Sequence, residues 1–368
     1  MAPVINVFKK DSVNFKTLVA VTAQHREMLD QVLSVFDIIP DYDLDLMSKS
    51  QTLESLTGKI LNGISRLLIQ IQPDLIFVQG DTTTTFSASL AAFYQKIPVG
   101  HIEAGLRTNN IYSPFPEEIN RRMTSSIAFH HFPPTRQAEQ CLLDEGVKKE
   151  KITVSGNTVI DALLTVSRRV ESDSSEYEEY FLNKCGISFN EKKTILVTGH
   201  RRESFGDGFE NICDAIKNIA TNNDVQVIYP VHLNPNVQDP VNRILCNINN
   251  VYLIPPQDYV PFVFLMKKAD IILTDSGGVQ EEAPSLGKPV LVMRDTTERS
   301  EGVDAGTACL VGTDADKIIS VVELLLNDPS KYDKMAKAVS PYGDGKASQK
   351  IYNYINTLRA HAHHRHNT

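Results

Sequence analysis

The stretch over residues 271–287, IILTDSGGVQEEAPSLG, constrains the fold of this chain more than any other. Ile271-Ile272-Leu273 is short, apolar and β-branched, the pattern of a buried strand. It stops at Asp275-Ser276-Gly277-Gly278, and a helical pattern carrying Glu281 and Glu282 follows. A strand that ends in Ser-Gly-Gly and opens a helix leaves free backbone N–H groups and a positive dipole end aimed at one point. Ser276, Gly277 and Gly278 thus suit a phosphate, whose oxygens glycine lets close to the backbone. Glu282, about one turn in, can accept hydrogen bonds from ribose hydroxyls. The same letters also describe an ordinary turn into a helix, so the rest of the chain decides.

The alternation around this stretch sets the fold class. Strand patterns fall at 17–22, 75–78, 99–102, 127–132 and 152–154, with helical patterns at 27–36 and 53–70. Residues 1–10 read as an amphipathic helix with Val4, Val7 and Phe8 on one side. After a polar, helical bridge over 167–193, strand patterns resume at 194–197, 225–229, 251–254, 271–273, 289–292 and 309–311. This predicts an α/β protein of mostly parallel sheets with helices on both faces. A length of 368 residues accommodates two doubly wound domains, expected over 1–170 and 171–345. A C-terminal helix over 346–360, packing back on the first domain, and a disordered histidine-rich tail over 361–368 complete the expectation. Tandem doubly wound domains place a ligand cleft at the C-terminal ends of their strands.

Charge and cysteine usage narrow the partners. A net charge of −8 gives no electrostatic case for nucleic acid or an anionic membrane surface. No run has the length of a transmembrane helix, and the N-terminus lacks a signal-peptide core. Five scattered cysteines without a CxxC pair read as reduced thiols of a cytoplasmic protein, with no zinc site.

Polar clusters fall at the expected strand ends. Asp81 follows Gly80 and precedes four threonines; it is either an N-cap or an acid placed at the cleft. In His101-Ile102-Glu103-Ala104-Gly105-Leu106-Arg107, a strand ends on charge that a structural strand end does not need. Pro114-Phe115-Pro116-Glu117-Glu118 opens a helix with an acidic first turn, explained by the dipole alone or by a second carboxylate beside Glu103. Thr198-Gly199-His200-Arg201-Arg202 follows the first strand of the second domain, and a His with two Arg beside a glycine suits a diphosphate. Arg294-Asp295-Thr296-Thr297-Glu298-Arg299 ends another strand. Anion-binding loops in one half and acids in the other suit a nucleoside-diphosphate substrate and acid/base chemistry on its attached group.

The blocks GDTTTT, HIEAGLRT, SPFPEEINRR, TGHRRESFG, YPVHLNPNV and TDSGGVQEEAPSLGKPVLVMRDTTERSE, in this order, resemble the non-hydrolysing UDP-N-acetylglucosamine 2-epimerases. The resemblance runs from Met1 to the Pro341–Gly345 stretch. It implies a GT-B-like fold of two Rossmann-type domains, and interconversion of UDP-GlcNAc and UDP-ManNAc without added cofactor or metal. It implies elimination of UDP to 2-acetamidoglucal and re-addition, with Asp81, Glu103 and Glu117 as carboxylates and His200 on the diphosphate or leaving oxygen. It further implies Ser276, Gly277, Gly278, Glu282, Arg107, Arg201, Phe262 and Arg294 as substrate ligands, and a homodimer. Gln24, Arg26 and His232 resemble the site where relatives bind a second UDP-GlcNAc as activator. A hydrolysing relative that releases ManNAc and UDP is the alternative enzyme, and an impaired UDP-sugar-binding protein the alternative class. Family members open with a strand and a Gly-Thr-Arg-Pro-Glu loop ahead of a Lys-Met-Ala-Pro helix. This chain starts at that Met, which implies a first domain without its first strand.

Overall fold

The computed structural model describes residues 1–22, 26–46, 51–189 and 191–366, excluding the side chains of 26–28 and 361–366. Two compact units emerge, Met1–Ala162 with Tyr342–Thr368, and Leu163–Pro341. The histidine-rich tail falls on residues whose side chains lie outside those described. None of the described helices is long and apolar enough to cross a membrane.

The first unit contains α1 (Ala2–Lys10), β1 (Ala20–Val21), α2 (Arg26–Val35), β2 (Tyr42–Asp43), α3 (Leu53–Ile71) and β3 (Ile76–Gln79). It continues with α4 (Thr83–Tyr94), β4 (Val99–Ile102), α5 (Glu117–Ile127), β5 (His130–Phe132), α6 (Arg136–Asp144) and the start of α7 (Thr158–Ser172). β3, β4 and β5 form a parallel three-stranded sheet, while β1 and β2 pair apart from it. The segment 17–22, read as one strand, pairs over two residues only, Ala20 with Tyr42 and Val21 with Asp43. The expected strand over 127–132 starts late because α5 runs on through Ile127. The one over 152–154 shrinks to a single bridge, His131 with Ile152, directly after a tight helical turn.

Helix boundaries follow local chemistry. Thr52 caps α3 by accepting from Ser55 N–H, and Leu56, Ile60, Ile64, Leu67 and Leu68 fall on its buried stripe. Thr82 does the same for α4 through Thr85 N–H. The amphipathic reading of 1–10 corresponds to α1, whose Val4 and Phe8 pack with Ile102, Phe132, Ile351 and Ile355.

The second unit contains α8 (Ser174–Cys185), β6 (Lys193–Thr198), α9 (Asp207–Asn222), β7 (Val225–Pro230), α10 (Pro235–Leu245), β8 (Val251–Ile254) and α11 (Tyr259–Lys268). Then follow β9 (Ile271–Thr274), α12 (Gly277–Glu282), β10 (Val290–Val292), α13 (Ser300–Asp304), β11 (Ala308–Leu310), α14 (Ala315–Asn327) and α15 (Pro329–Ala336). The last helix, α16 (Ala347–His366), belongs to the first unit. Its first turn is capped by the buried Asp161, which accepts from the N–H groups of Ala347 and Ser348 and from the Ser348 hydroxyl.

The sheet of the second unit runs β11-β10-β9-β6-β7-β8, all parallel. Both faces are covered, so β6, β9 and β10 are near-continuous apolar runs. Chain order reverses between β6 and β9. Crevices at such a switch point, outside the carboxyl ends of the strands, are where open α/β sheets bind ligands.

Candidate active site

In the first unit Asp81 and Glu103 stand just beyond the C-terminal ends of the neighbouring strands β3 and β4. Gly80, at φ 72°, turns the chain out of β3 and donates its N–H to the Ile102 carbonyl. A Cβ there would lie 3.8 Å from Glu103 Oε2, so the Glu103 carboxylate sits over the residue that precedes Asp81. Glu103 itself has φ 61°, a left-handed conformation uncommon outside glycine. Such strain persists where surroundings impose it; here Phe132 O accepts from Glu103 N–H, and Gln79 Nε2 donates to Glu103 Oε2 at 3.3 Å. His101 is wholly buried, with Nε2 at 2.8 Å from the Gly80 carbonyl. Burial pushes its pKa down to about 4, so at neutral pH it is an uncharged brace.

α5 brings the third acid. Arg121 Nη2 donates to Asp81 Oδ2 at 2.5 Å, and Asn120 Nδ2 donates to the Asp81 carbonyl at 3.0 Å. Glu117, in the first turn, is half-buried and has no hydrogen-bond partner among the described residues. Its neighbour Glu118 is fully buried and accepts from Thr108 and Asn109 N–H and from Arg121 and Arg122. Arg107 is turned inward: its guanidinium, 2% exposed, donates to both Glu145 oxygens, Ser125 Oγ and the Leu106 carbonyl. That arrangement makes it a brace in this structure rather than a free donor.

The second unit presents a different chemistry at its switch point. Asp275, buried and directly after β9, accepts from the N–H groups of His200 and Arg201 at 2.7 Å each through Oδ2. His200 Nδ1 lies 3.4 Å from Oδ1, within ion-pair reach but off the line of a hydrogen bond. Asp275 therefore fixes the His200 backbone and faces its Nδ1, an orientation that favours Nε2 as the outward nitrogen. The His232 ring stacks on His200 at 5.3 Å between centroids, and its Nδ1 accepts from Asn234 N–H at 3.1 Å. His232 thus adjoins the His200 cluster. Of the other residues read with it, Gln24 lies outside the described residues, as does the side chain of Arg26.

Arginines and carboxylates interleave nearby. Arg294 donates to Glu203 at 2.5 Å and to Glu298 at 2.8 Å. Arg201 lies 3.6 Å from Glu298, and Arg299 bonds Glu298 and Glu281. At Gly277 an added Cβ would lie 3.2 Å from Arg299 Cζ, close enough that the arginine side chain would have to give way slightly. Ser276 precedes α12 and donates its N–H to Thr274 Oγ1. Gly278 is open, the nearest group to where a Cβ would stand being Ser276 Oγ at 3.9 Å. Glu282 is buried and accepts from the Tyr259 hydroxyl at 2.8 Å. Burial, with Glu281 adding, pushes its pKa up to about 7 against the pull of that hydrogen bond. Phe262 is half-buried on α11.

Sequence reading passed over Asp275, Glu118, Arg121 and Tyr259. A signal existed for Asp275, the residue immediately beyond a fully buried strand. Arg121 and Tyr259 are defined by partners 40 and 23 residues away, and Glu118 by a loop folded back onto the start of α5.

A family model described as UDP-N-acetylglucosamine 2-epimerase matches residues 8–356. This chain belongs to the UDP-N-acetylglucosamine 2-epimerase family. It is 56% identical over 360 residues to the UDP-N-acetylglucosamine 2-epimerase of Escherichia coli O157:H7, covering 98% of this chain and 95% of the relative. Against the epimerase of Campylobacter jejuni the identity is 51% over 360 residues, covering 96% and 93%. Among solved structures, the Neisseria meningitidis UDP-GlcNAc 2-epimerase bound to UDP-GlcNAc superposes with a TM-score of 0.86 at 50% identity, covering 97% of this chain and 96% of that one. The Methanocaldococcus jannaschii epimerase in complex with UDP-GlcNAc and UDP gives 0.75 at 33% identity, covering 97% and 95%. The fold is GT-B-like, as in these epimerases.

Proposed function

We propose that this epimerase interconverts UDP-GlcNAc and UDP-ManNAc by eliminating and re-adding UDP. The C2 proton has no adjoining carbonyl, so direct removal would leave an unstabilised carbanion. Elimination avoids it: a carboxylate takes the C2 proton, the C1–O bond breaks, and its electron pair leaves with UDP, giving 2-acetamidoglucal. Return of UDP to C1 with a proton delivered to the other face of C2 completes the inversion. Acids on both faces of the ring and retention of UDP are the two requirements.

The observation that carries this reading is the placement of Asp81 and Glu103 at the ends of β3 and β4, with α5, whose first turn carries Glu117, tied to Asp81 through Arg121. A protein that only bound a UDP-sugar would need no such carboxylate group. His200, held by Asp275, serves the diphosphate or the leaving oxygen. Ser276, Gly277 and Gly278 serve the phosphates, Glu282 the ribose, and Arg201 and Arg294 supply positive charge. His232 belongs to the site of an activating second UDP-GlcNAc, and the chain acts as a cytoplasmic homodimer. The exposed Phe93 and Tyr94, 59% and 61% accessible, support an association surface at the end of α4.

Proton NMR of the chain with UDP-GlcNAc in D2O tests the proposal. Deuterium at C2 with UDP-ManNAc growing to an equilibrium share is the expected result. Release of free ManNAc would place the chain with hydrolysing relatives, and no exchange would leave a binding protein.

A further inference from the structure

Two adjacent glutamates open α5, and the helix separates them. Successive residues project about 100° apart around a helix, so Glu117 and Glu118 face different surroundings. Glu117 is half-buried without a hydrogen-bond partner among the described residues, whereas Glu118 has no exposed surface. A buried carboxylate is costly unless hydrogen-bonded and paired. Glu118 meets both conditions, with Thr108 N–H at 3.1 Å, Asn109 N–H at 3.2 Å, Arg121 Nη1 at 3.2 Å and Arg122 Nε at 3.1 Å.

Arg121 carries the arrangement onward. Its Nη1 is held by Glu118, while Nη2 reaches Asp81 Oδ2 at 2.5 Å. The preceding residue, Asn120, holds the Asp81 carbonyl at 3.0 Å. From the strand side, the ring of His101 holds the Gly80 carbonyl at 2.8 Å. Asp81 is thus gripped by its own carbonyl, by the peptide before it and by one carboxylate oxygen. Among the described residues Oδ1 carries no hydrogen bond, and it is the oxygen left to face a ligand.

We propose that Glu118 and Arg121 form a buried relay that positions Asp81 for proton transfer, fixing Oδ2 so that Oδ1 is the reacting oxygen. The proposal rests on the functional reading above and adds two positioning residues to it. Neither touches the sugar; both act through Asp81. The guanidinium is suited to the task because its planar fork can hold two carboxylates through different nitrogens at a fixed angle, which a lysine ammonium cannot reproduce.

The test measures turnover of UDP-GlcNAc, C2 exchange in D2O and denaturant unfolding for the wild-type chain, R121Q, R121K, D81N and the D81N/R121Q double variant. Arg121→Gln is expected to lower kcat about 10²-fold, the cost of a misplaced group, with KM within about 3-fold. Arg121→Lys keeps the charge but not the fork, and is expected to retain about tenfold more activity than Arg121→Gln. The double variant should be no worse than Asp81→Asn alone to within about 3-fold, because a residue acting through Asp81 has nothing left to act on. Losses that multiply, or a KM that rises in step with the fall in kcat, would make Arg121 a substrate ligand and overturn the relay. Arg121→Gln at wild-type kcat would overturn it as well, and where that variant fails to fold, Arg121→Lys decides.

Hydrogen exchange reads the buried part without activity. Glu118→Gln should accelerate exchange at the Thr108 and Asn109 amides; unchanged protection of both overturns the relay. A wild-type chain that exchanges no deuterium at C2 overturns the functional reading and the proton-transfer role together. Unaltered wild-type turnover beside a failed Arg121 series overturns the relay alone.

Discussion

The two units use the same parallel strand–helix grammar and arrive at unlike scaffolds. The second holds six strands in one sheet, with an extensive core cluster beginning at Ile195 and Val197 and reaching Leu325. The first divides its described strands between ladders of three and two, and its apolar residues between separate clusters around Ile60, around Phe8 and around Val19. Their polar inventories differ in the same sense. The continuous sheet presents arginines and a His–Asp pair at its switch point, groups suited to holding anionic phosphates. The smaller sheet presents carboxylates, one of them on a strained left-handed residue, Glu103. In the proposed mechanism, anchorage falls on the more extensive scaffold and proton chemistry on the one assembled from smaller parts.

The largest test of this division is Asp81→Asn, expected to lower kcat about 10³-fold while leaving UDP affinity within about 2-fold. Steady-state kinetics and calorimetry with UDP check it; a parallel loss of UDP affinity would break the separation. Next in size, Gly105→Ala places a Cβ 2.2 Å from the Ala138 carbonyl oxygen at φ 86°. Backbone against backbone cannot yield cheaply, so a loss of about 3 kcal/mol is expected from the first unit, read as a lower urea midpoint.

Opposite pH responses sharpen the contrast. His101, His130 and His131 are buried in the first unit, and burial holds their pKa values near 4, 4 and 3, below the ordinary 6.5. The unfolded chain takes up protons first as pH falls, so the stability associated with their neutral forms is full above 6.5 and is lost progressively down to about pH 4 for His101 and His130 and about pH 3 for His131. The loss approaches about 3–5 kcal/mol per histidine at full protonation. In the second unit the described histidines, His200 and His232, are exposed. There Glu282 acts the other way: with its pKa raised from 4.5 to about 7, its contribution is present below 4.5 and lost as pH rises through 7. Glu282→Gln should accordingly stabilise the second unit at pH 8 by about 1–2 kcal/mol while weakening UDP binding. Hydrogen exchange followed separately in each unit from pH 4 to 8 distinguishes these cases; a shared pH dependence would contradict them.

Much of this was legible in the chain. The second unit's strands 225–229, 251–254 and 271–273 read correctly to within a residue at either end because each is a short, largely apolar run rich in β-branched residues. Val99–Ile102 read equally well although Gly100 and His101 interrupt its apolar ends. The weaker elements were less legible. In 17–22 an apolar pattern overstated a ladder that its partner limits to two residues, and at Ile152 a strand pattern met only a single bridge. Asp81, Glu103 and Glu117 could be singled out because they stand at strand ends or a helix start, where local sequence signals position. Arg107 stood in an equally suggestive place, but its orientation depends on Glu145, 38 residues away.

By itself, then, the sequence determined the alternation of strands and helices, the places where polar groups could emerge and the family to which those blocks belong. These depend on periodicity and on contiguous residues. Tertiary structure alone decided which of two adjacent glutamates is buried, that Arg121 holds Asp81, and that Asp275 faces His200. It also decided that Glu282 titrates near neutrality. Burial and hydrogen-bond partners set these properties, and the partners come from segments up to 75 residues apart, whose meeting no local pattern encodes.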